Sequence, residues 1–352
     1  MPRLRTVAAV AGVALLTRRA LRRRIERSPL WPLPALPVPT SGRPRGRALT
    51  LTVGRREEPA EGVVQLHLYG EDLPPWEPGA HLELTLPSGL VRQYSLCGDP
   101  ADRAVYSVAT RLVEDGRGGS REVHEALREG TQLTVRGPRN RFALASSHAY
   151  VFVAGGIGIT PILPMLHAAE ASGADWRVLY CGRSRASMPF LDEVEKLAGP
   201  ARLTVVAEDE SGLPDLRALF VDVPQAAAVY TCGPEPLMDA VAEVLPAGCT
   251  LHLERFAAAA VAAQGNEAFE VELRRSGRTV EVAADETVLA AVRRELPDTA
   301  YSCEQGFCGT CQQRVLAGEI EHRDELLTDD ERDASMLICV SRARGGRLVL
   351  DV

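Results

Sequence analysis

Much that would classify a protein at sight is scarce in these 352 residues. Long apolar runs are missing. The longest near the start, Thr6 to Leu16, covers 11 residues, whereas a membrane-spanning helix needs about 20. No export signal stands out, because Arg18, Arg19, Arg22, Arg23 and Arg24 follow that apolar run instead of preceding it. Cysteine is too thin for a disulfide framework, a device of short secreted chains: there are eight, at 97, 181, 232, 249, 303, 308, 311 and 339. Reduced thiols in the cytoplasm are expected. Lysine is all but absent, with one among 40 basic residues, so any cationic site rests on arginine. Net positive charge is lacking too. Residues 1–47 hold eleven Arg against one acidic residue, Glu26, a net of +10, which leaves −17 on the rest of a chain totalling −7. So acidic a body excludes nucleic acid as the main partner and suits a partner with a basic docking patch.

What is present is ordinary in bulk and organised in order. Hydrophobic content of 45% and charged content of 25% are those of a globular protein, and the length predicts two or three domains. Residues 1–47 read as an appendage, apolar, then Arg-rich, then Pro-rich (Pro29, Pro32, Pro34, Pro37, Pro39, Pro44), the last an extended spacer. From 48 to 147, ALTLTVG, VVQLHLYG, HLELTL, VRQYSL, AVYSVAT and TQLTVRG alternate apolar and polar residues and predict an antiparallel β-barrel. From 148 to 256 the rhythm becomes strand and helix in turn, which predicts an α/β doubly wound parallel sheet. AAAAVAAQG (257–265) is a linker or a short Ala-rich helix. The segment 266–352 restarts with FEVELRR and RTVEVAA, then a helix candidate, ETVLAAVRREL, and a cysteine-rich loop.

That loop is the most specific signal. Cys303, Cys308 and Cys311 stand in C-x4-C-x2-C spacing, with Cys339 following in MLICVSR, the pattern of plant-type 2Fe–2S centres. A zinc site favours C-x2-C pairs on both sides, so a zinc knuckle fits poorly. Two glycine turns come next. Gly155, Gly156 and Gly158 lie between a buried strand and a helix in GGIGITP, and Gly233 and Pro234 follow Cys232 in TCGPEPLM. Such turns admit a pyrophosphate to the backbone at a helix N-terminus. Pro161 takes the place of the third glycine of the dinucleotide fingerprint, so a plain tight turn is also open, and Cys232 alone reads as a small buried hydrophobe. In RQYS, Arg92 offers a fork for phosphate, Tyr94 a face for a planar ring and Ser95 a short hydrogen bond, though such a strand is often a solvated face. Gly118, Gly119 and Ser120 open a helix that makes a second anion-friendly terminus.

Taken together in this order, RQYS, GGS, GGIGITP, CGPEPLM and CEQGFCGTC…C resemble the phthalate dioxygenase reductase family, which includes the vanillate demethylase reductases. The resemblance runs from about residue 48 to the end. It implies a multidomain chain: an FMN barrel, a nicotinamide domain and a C-terminal α+β, β-grasp ferredoxin domain. It implies that Arg92, Tyr94, Ser95, Gly118, Gly119 and Ser120 hold the flavin. Thr160 would lie near flavin and nicotinamide, Cys232 beside the hydride-transfer site, and Phe256, with Glu254 in HLERF, against the flavin ring. Cys303, Cys308, Cys311 and Cys339 would ligate iron, leaving Cys97, Cys181 and Cys249 structural. Arg183 and Arg185 are placed to grip a 2′-phosphate, or are solvated; the resemblance implies NADH, with NADPH possible.

The expected activity is an NAD(P)H-dependent electron-transfer reductase, monomeric, serving a Rieske-type oxygenase or a haem-thiolate monooxygenase. Two other classes stand beside it: a self-sufficient oxidoreductase reducing a small acceptor, and a redox-sensing binding module. Residues 1–47 have no counterpart in the family. They are either a weak tether to an anionic membrane surface at the inner membrane face or a dispensable tail.

Overall fold

A computed structural model describes residues 48–114, 116–256, 266–301, 304–306, 309–324 and 326–352. The basic extension (1–47), the Ala-rich segment (257–265), Cys303 and Cys308 lie outside the described residues. All the described residues belong to one compact unit, Ser41–Val352.

Six antiparallel strands come first: β1 (Ala48–Ala60), β2 (Val63–Tyr69), β3 (Ala80–Thr85), β4 (Val91–Ser95), β5 (Val105–Arg111) and β6 (Gln132–Asn140), in the order β4-β3-β6-β1-β2-β5. A bridge between Leu96 and Val108, with Cys97 N donating to Ser107 O at 2.9 Å, ties the β4 end to β5. The sheet thereby closes as a barrel. Side chains alternate across a strand, so Val64, Leu66 and Leu68 of β2 enter the core while Gln65 and His67 stay partly outside. Helix α1 (Gly119–Ala126) lies between β5 and β6 and plugs Val123 into the same core.

The second sheet is wholly parallel. Its strands β7 (Ala149–Gly155), β8 (Asp175–Gly182), β9 (Leu203–Ala207), β10 (Ala228–Cys232) and β11 (Thr250–Glu254) lie in the order β11-β10-β7-β8-β9. Every residue of β7 is buried, as a central strand covered on both faces requires. Helices α2 (Ile159–Ser172) and α3 (Leu191–Arg202) pack with Phe152, Tyr180 and Tyr230 on one face. Helix α4 (Glu235–Glu243) packs with Val151, Leu179 and Val229 on the other. The doubly wound expectation is met.

The third sheet is mixed. Strands β12 (Phe269–Leu273), β13 (Arg278–Val282), β14 (Gln312–Ala317), β16 (Ser335–Leu337) and β18 (Arg347–Leu350) follow the order β13-β12-β18-β14-β16, beside the small pair β15 (Ile320–Glu321) and β17 (Arg342–Ala343). Only β12 and β18 run parallel among these pairs. Helix α5 (Val288–Glu295) starts where Thr287 Oγ1 accepts from Ala290 N at 3.1 Å, a side-chain cap. Its Val288, Leu289 and Val292 cover the sheet, the β-grasp arrangement. Among the described residues no helix is long and apolar enough to cross a membrane.

Candidate functional site

The parallel sheet brings both glycine turns to the carboxyl ends of the adjacent strands β7 and β10, where open α/β sheets take ligands. The turns touch. A methyl at Gly158 would come to 2.2 Å from Cys232 O, one at Gly233 to 2.9 Å from Gly155 Cα, and one at Gly155 to 2.5 Å from Pro234 Cδ. Glycine at these three positions is first a packing requirement. Gly156 differs: its φ is +54° and a methyl there would meet nothing closer than Arg111 Nη2 at 3.9 Å. Thr160, in the first turn of α2, is buried and its hydroxyl donates to Ile157 O at 2.9 Å.

Outside the turns opens a cleft of about 570 Å³, bordered also by Arg111, Arg183, Glu208, Leu213 and Phe256. Cys232 is fully buried below it. Burial, with the Glu254 carboxyl adding to it, raises the Cys232 thiol well above its ordinary range, so the thiol is neutral and soft. Arg185 lies outside this lining, with Nε 3.2 Å from Glu210 Oε2 and Nη1 3.3 Å from Glu195 Oε1. Of the two arginines in GRSR, Arg183 alone borders the cleft.

On the barrel, RQYS and GGS meet. Arg92 donates to Val91 O at 2.8 Å and to Arg117 O at 2.7 Å, and its guanidinium lies across Gly119, where a methyl would come to 2.4 Å from Nε. Gly118, at φ 78°, caps α1 in a left-handed conformation that favours glycine. Ser120 Oγ accepts from Val113 N at 3.1 Å, fastening the loop ahead of the helix. Tyr94 packs on the barrel core, and burial pushes its phenol up to about 12. Ser95 faces the other way and donates to Glu254 Oε2 at 3.3 Å. Although Glu254 keeps some surface, burial of its carboxyl pushes it up to about 8, with the Ser95 hydroxyl pulling in the opposite sense.

Beside Ser95 lies a second pocket, of about 450 Å³, bordered by His81, Gln93, Glu254 and Phe256. His81 Nε2 and Gln93 Nε2 are buried there without a partner. Burial, then Arg139 and Arg141, hold the His81 imidazole down at about 4, so it is neutral. Buried orphan groups call for a ligand with polar ring atoms, and the residues present fit a flavin.

In the third sheet, Cys311 and Cys339 are both buried, and Ile338 N donates to Cys311 O at 3.4 Å, which sets the two cysteine segments side by side. Gly306 turns at φ +79°, and a methyl on it would come to 2.8 Å from Val340 Cγ2. Gly306 is therefore pressed onto the segment that follows Cys339. Buried Asp324 holds the far side, accepting from Leu326 N at 3.2 Å, Leu327 N at 2.9 Å and Ser341 Oγ at 3.3 Å. Two buried thiols set side by side, on segments in the C-x4-C-x2-C…C order, fit half of the ligand set of a 2Fe–2S cluster. Cys97, Cys181 and Cys249 are free; Cys97 donates to Ser107 O at 3.5 Å, while Cys181 also borders the cleft.

Sequence reasoning missed Arg111, Glu208 and Leu213. Arg111 ends β5 and reaches across to donate to Ser187 O, a contact with no sequence signal. Glu208 was within reach, since it directly follows β9, and strand ends of such sheets are where ligand groups belong.

Comparison with known proteins agrees with this geometry. Residues 271–344 match the 2Fe-2S iron-sulfur cluster binding domain, and residues 131–250 match the dimethylamine monooxygenase subunit DmmA-like, N-terminal domain. The phthalate dioxygenase reductase of Burkholderia cepacia is 37% identical over 316 residues, covering 86% of this chain and 97% of that one. A solved phthalate dioxygenase reductase structure matches with a TM-score of 0.68 at 36% identity, over 87% of this chain and 98% of that one. An intact type IV self-sufficient cytochrome P450 monooxygenase matches with a TM-score of 0.74 at 40% identity over 93% of this chain, which spans 44% of that larger protein. Identity at this level over nearly whole reductases shows that the chain belongs to the phthalate dioxygenase reductase family, as an oxidoreductase of the flavin- and nicotinamide-binding fold with a 2Fe–2S ferredoxin domain for electron transfer.

Proposed function

We propose that the chain is an NADH-dependent reductase that uses FMN and its 2Fe–2S cluster to supply electrons to a terminal oxygenase, of Rieske type or haem-thiolate type. The observation that carries this is Phe256. Its ring, 41% exposed, borders both the cleft of the parallel sheet and the pocket of the barrel. A large aromatic left open where two sites meet suits a stack of two planar rings.

When bound, the flavin supplies exchange between hydride and single electrons, and the cluster supplies one-electron chemistry. The chain's own residues do the rest. Arg92, with the Gly118–Gly119–Ser120 helix start, holds the flavin phosphate; Tyr94, Ser95 and Phe256 set the ring. Gly155, Gly156, Gly158, Gly233 and Pro234 would shape the dinucleotide turn, and Thr160 and Cys232, buried beside it, would serve the hydride-transfer site. Cys303, Cys308, Cys311 and Cys339 hold iron. FMN is carried over from the family resemblance. NADH is supported by Glu208 beside Arg183: a carboxylate suits a ribose hydroxyl and repels a 2′-phosphate. Arg185, paired with Glu195 and Glu210, is already engaged.

The module boundaries that go with this reading are 48–147, 148–256 and 266–352, with 257–265 linking the last two. The partner classes follow the names of the relatives, and the acidic body suits a basic docking face. We place the protein in the cytoplasm as a monomer, with 1–47 as a weak surface tether. Rapid mixing with NADH tests the core of this. Flavin bleaching followed by cluster bleaching is expected, and a cluster that stays oxidised while the flavin is fully reduced would overturn it.

A further inference from the structure

Gln305 stands in the cluster loop, between Cys303 and Cys308, and is half-buried. It does not turn back into its own module. With its amide in the orientation that the hydrogen-bond network requires, its nitrogen donates to Phe256 O at 2.9 Å and its oxygen accepts from Arg117 Nη2 at 3.2 Å. Each partner belongs to one of the other two sites. Phe256 is the aromatic at the junction of cleft and barrel pocket. Arg117 precedes the Gly118–Gly119 turn, and its carbonyl receives Arg92 Nη2 at 2.7 Å. One side chain thus joins the cluster loop to both ends of the flavin pocket, the phosphate arginine by one intermediary and the stacking aromatic directly. Leu326, in the segment held by Asp324, borders the same barrel pocket.

We infer that Gln305 is the positioning residue that seats the cluster loop on the flavin pocket and so sets the rate of flavin-to-cluster electron transfer. This rests on the electron-transfer reading above. A primary amide suits the task, because it must donate to a carbonyl and accept from a guanidinium at once, and it does so without burying a charge. Glu keeps the acceptor for Arg117 but loses the donor for Phe256 O. Leu keeps the bulk and loses both. The Phe256 carbonyl and the Arg117 guanidinium are outside the cluster loop, so the link can also be cut from the far side.

The test uses the full chain with flavin and cluster in place, as Gln305→Leu, Gln305→Glu and Arg117→Ala. Flavin reduction by NADH, iron content and the reduced-cluster resonance signal should match wild type in Gln305→Leu and Gln305→Glu. Cluster bleaching after flavin reduction should slow several-fold in Gln305→Leu, because electron transfer falls steeply as the gap between the centres widens, and less in the other two. Independently of any turnover, hydrogen exchange at the amides of 304–306 and 116–118 should quicken in Gln305→Leu. Wild-type bleaching and wild-type exchange in that variant would overturn the inference. A wild-type chain whose cluster NADH cannot reduce would sink the functional reading instead, and the exchange measurement would still decide whether Gln305 seats the loop.

Discussion

The cleft of the parallel sheet and the pocket of the barrel serve one reaction, yet they are built by opposite means. The cleft is made of backbone. Gly155, Gly158 and Gly233 are where two turns press together, and a methyl on any of them would strike the opposing turn or its proline. The pocket is made of side chains: His81, Gln93 and Ser95 from the barrel, with Glu254 and Phe256 arriving from the end of β11. A backbone site fails by loss of shape and takes the fold with it. A side-chain site fails one contact at a time and leaves the fold standing.

Gly158→Ala should therefore have the largest effect. Its new methyl would sit 2.2 Å from Cys232 O, a backbone atom that cannot swing aside, and overpacking of that kind costs about 3 kcal/mol. Urea unfolding should show that loss together with loss of NADH oxidation; a stable Gly158→Ala chain with normal activity would break the contrast. Arg92→Ala should be milder and of another kind. Its contacts are to two carbonyls at a partly exposed edge, so the apoprotein should keep its unfolding midpoint. Flavin should be held about 30-fold more weakly, from the loss of about 2 kcal/mol of charge-assisted hydrogen bonding, as read by equilibrium dialysis.

Glu254 sharpens the same comparison through pH. Its carboxyl is pushed from the ordinary 4.5 up to about 8, first by burial. Between those two values the folded chain holds a proton that the unfolded chain has released. Stability from this group is thus complete at acid pH and declines as pH rises through about 8. Glu254→Gln should flatten that decline in a series of melting temperatures. A variant whose stability falls with pH as steeply as wild type would place the titration elsewhere. The smallest effect belongs to Arg185→Ala. Its ion pairs with Glu195 and Glu210 are exposed and worth about 0–1 kcal/mol, so both stability and the NADH-to-NADPH ratio of kcat/KM should barely move. Arg183→Ala or Glu208→Ala should shift that ratio, because both border the cleft.

How much of this was legible in the sequence follows from the same division. Six barrel strands, the buried β7 and the capped α5 could be read directly, since each is a local pattern of apolar residues and turns. The C-x4-C-x2-C spacing and both glycine turns were legible because each is a pattern within a few consecutive residues. That Arg92 and Gly119 would serve one phosphate, or Ser95 and Phe256 one ring, followed only from family resemblance; no period or propensity links residues so far apart. Arg111 and Gln305 were illegible for the same reason, as their hydrogen bonds to Ser187, Phe256 and Arg117 exist only once the modules are folded. The contrast between Arg183 and Arg185 was hidden too, because two arginines in one turn look alike until Glu195 and Glu210 engage one of them.

The most direct test of the modular electron path is Cys308→Ser followed by rapid mixing with NADH. The variant should lose the visible absorption and the resonance signal of the cluster, while its flavin is reduced at the wild-type rate, because Arg92, Tyr94, Ser95 and the glycine cleft belong to other sheets. Loss of flavin reduction together with the cluster, in a chain that still binds flavin, would contradict the separation of the two sites.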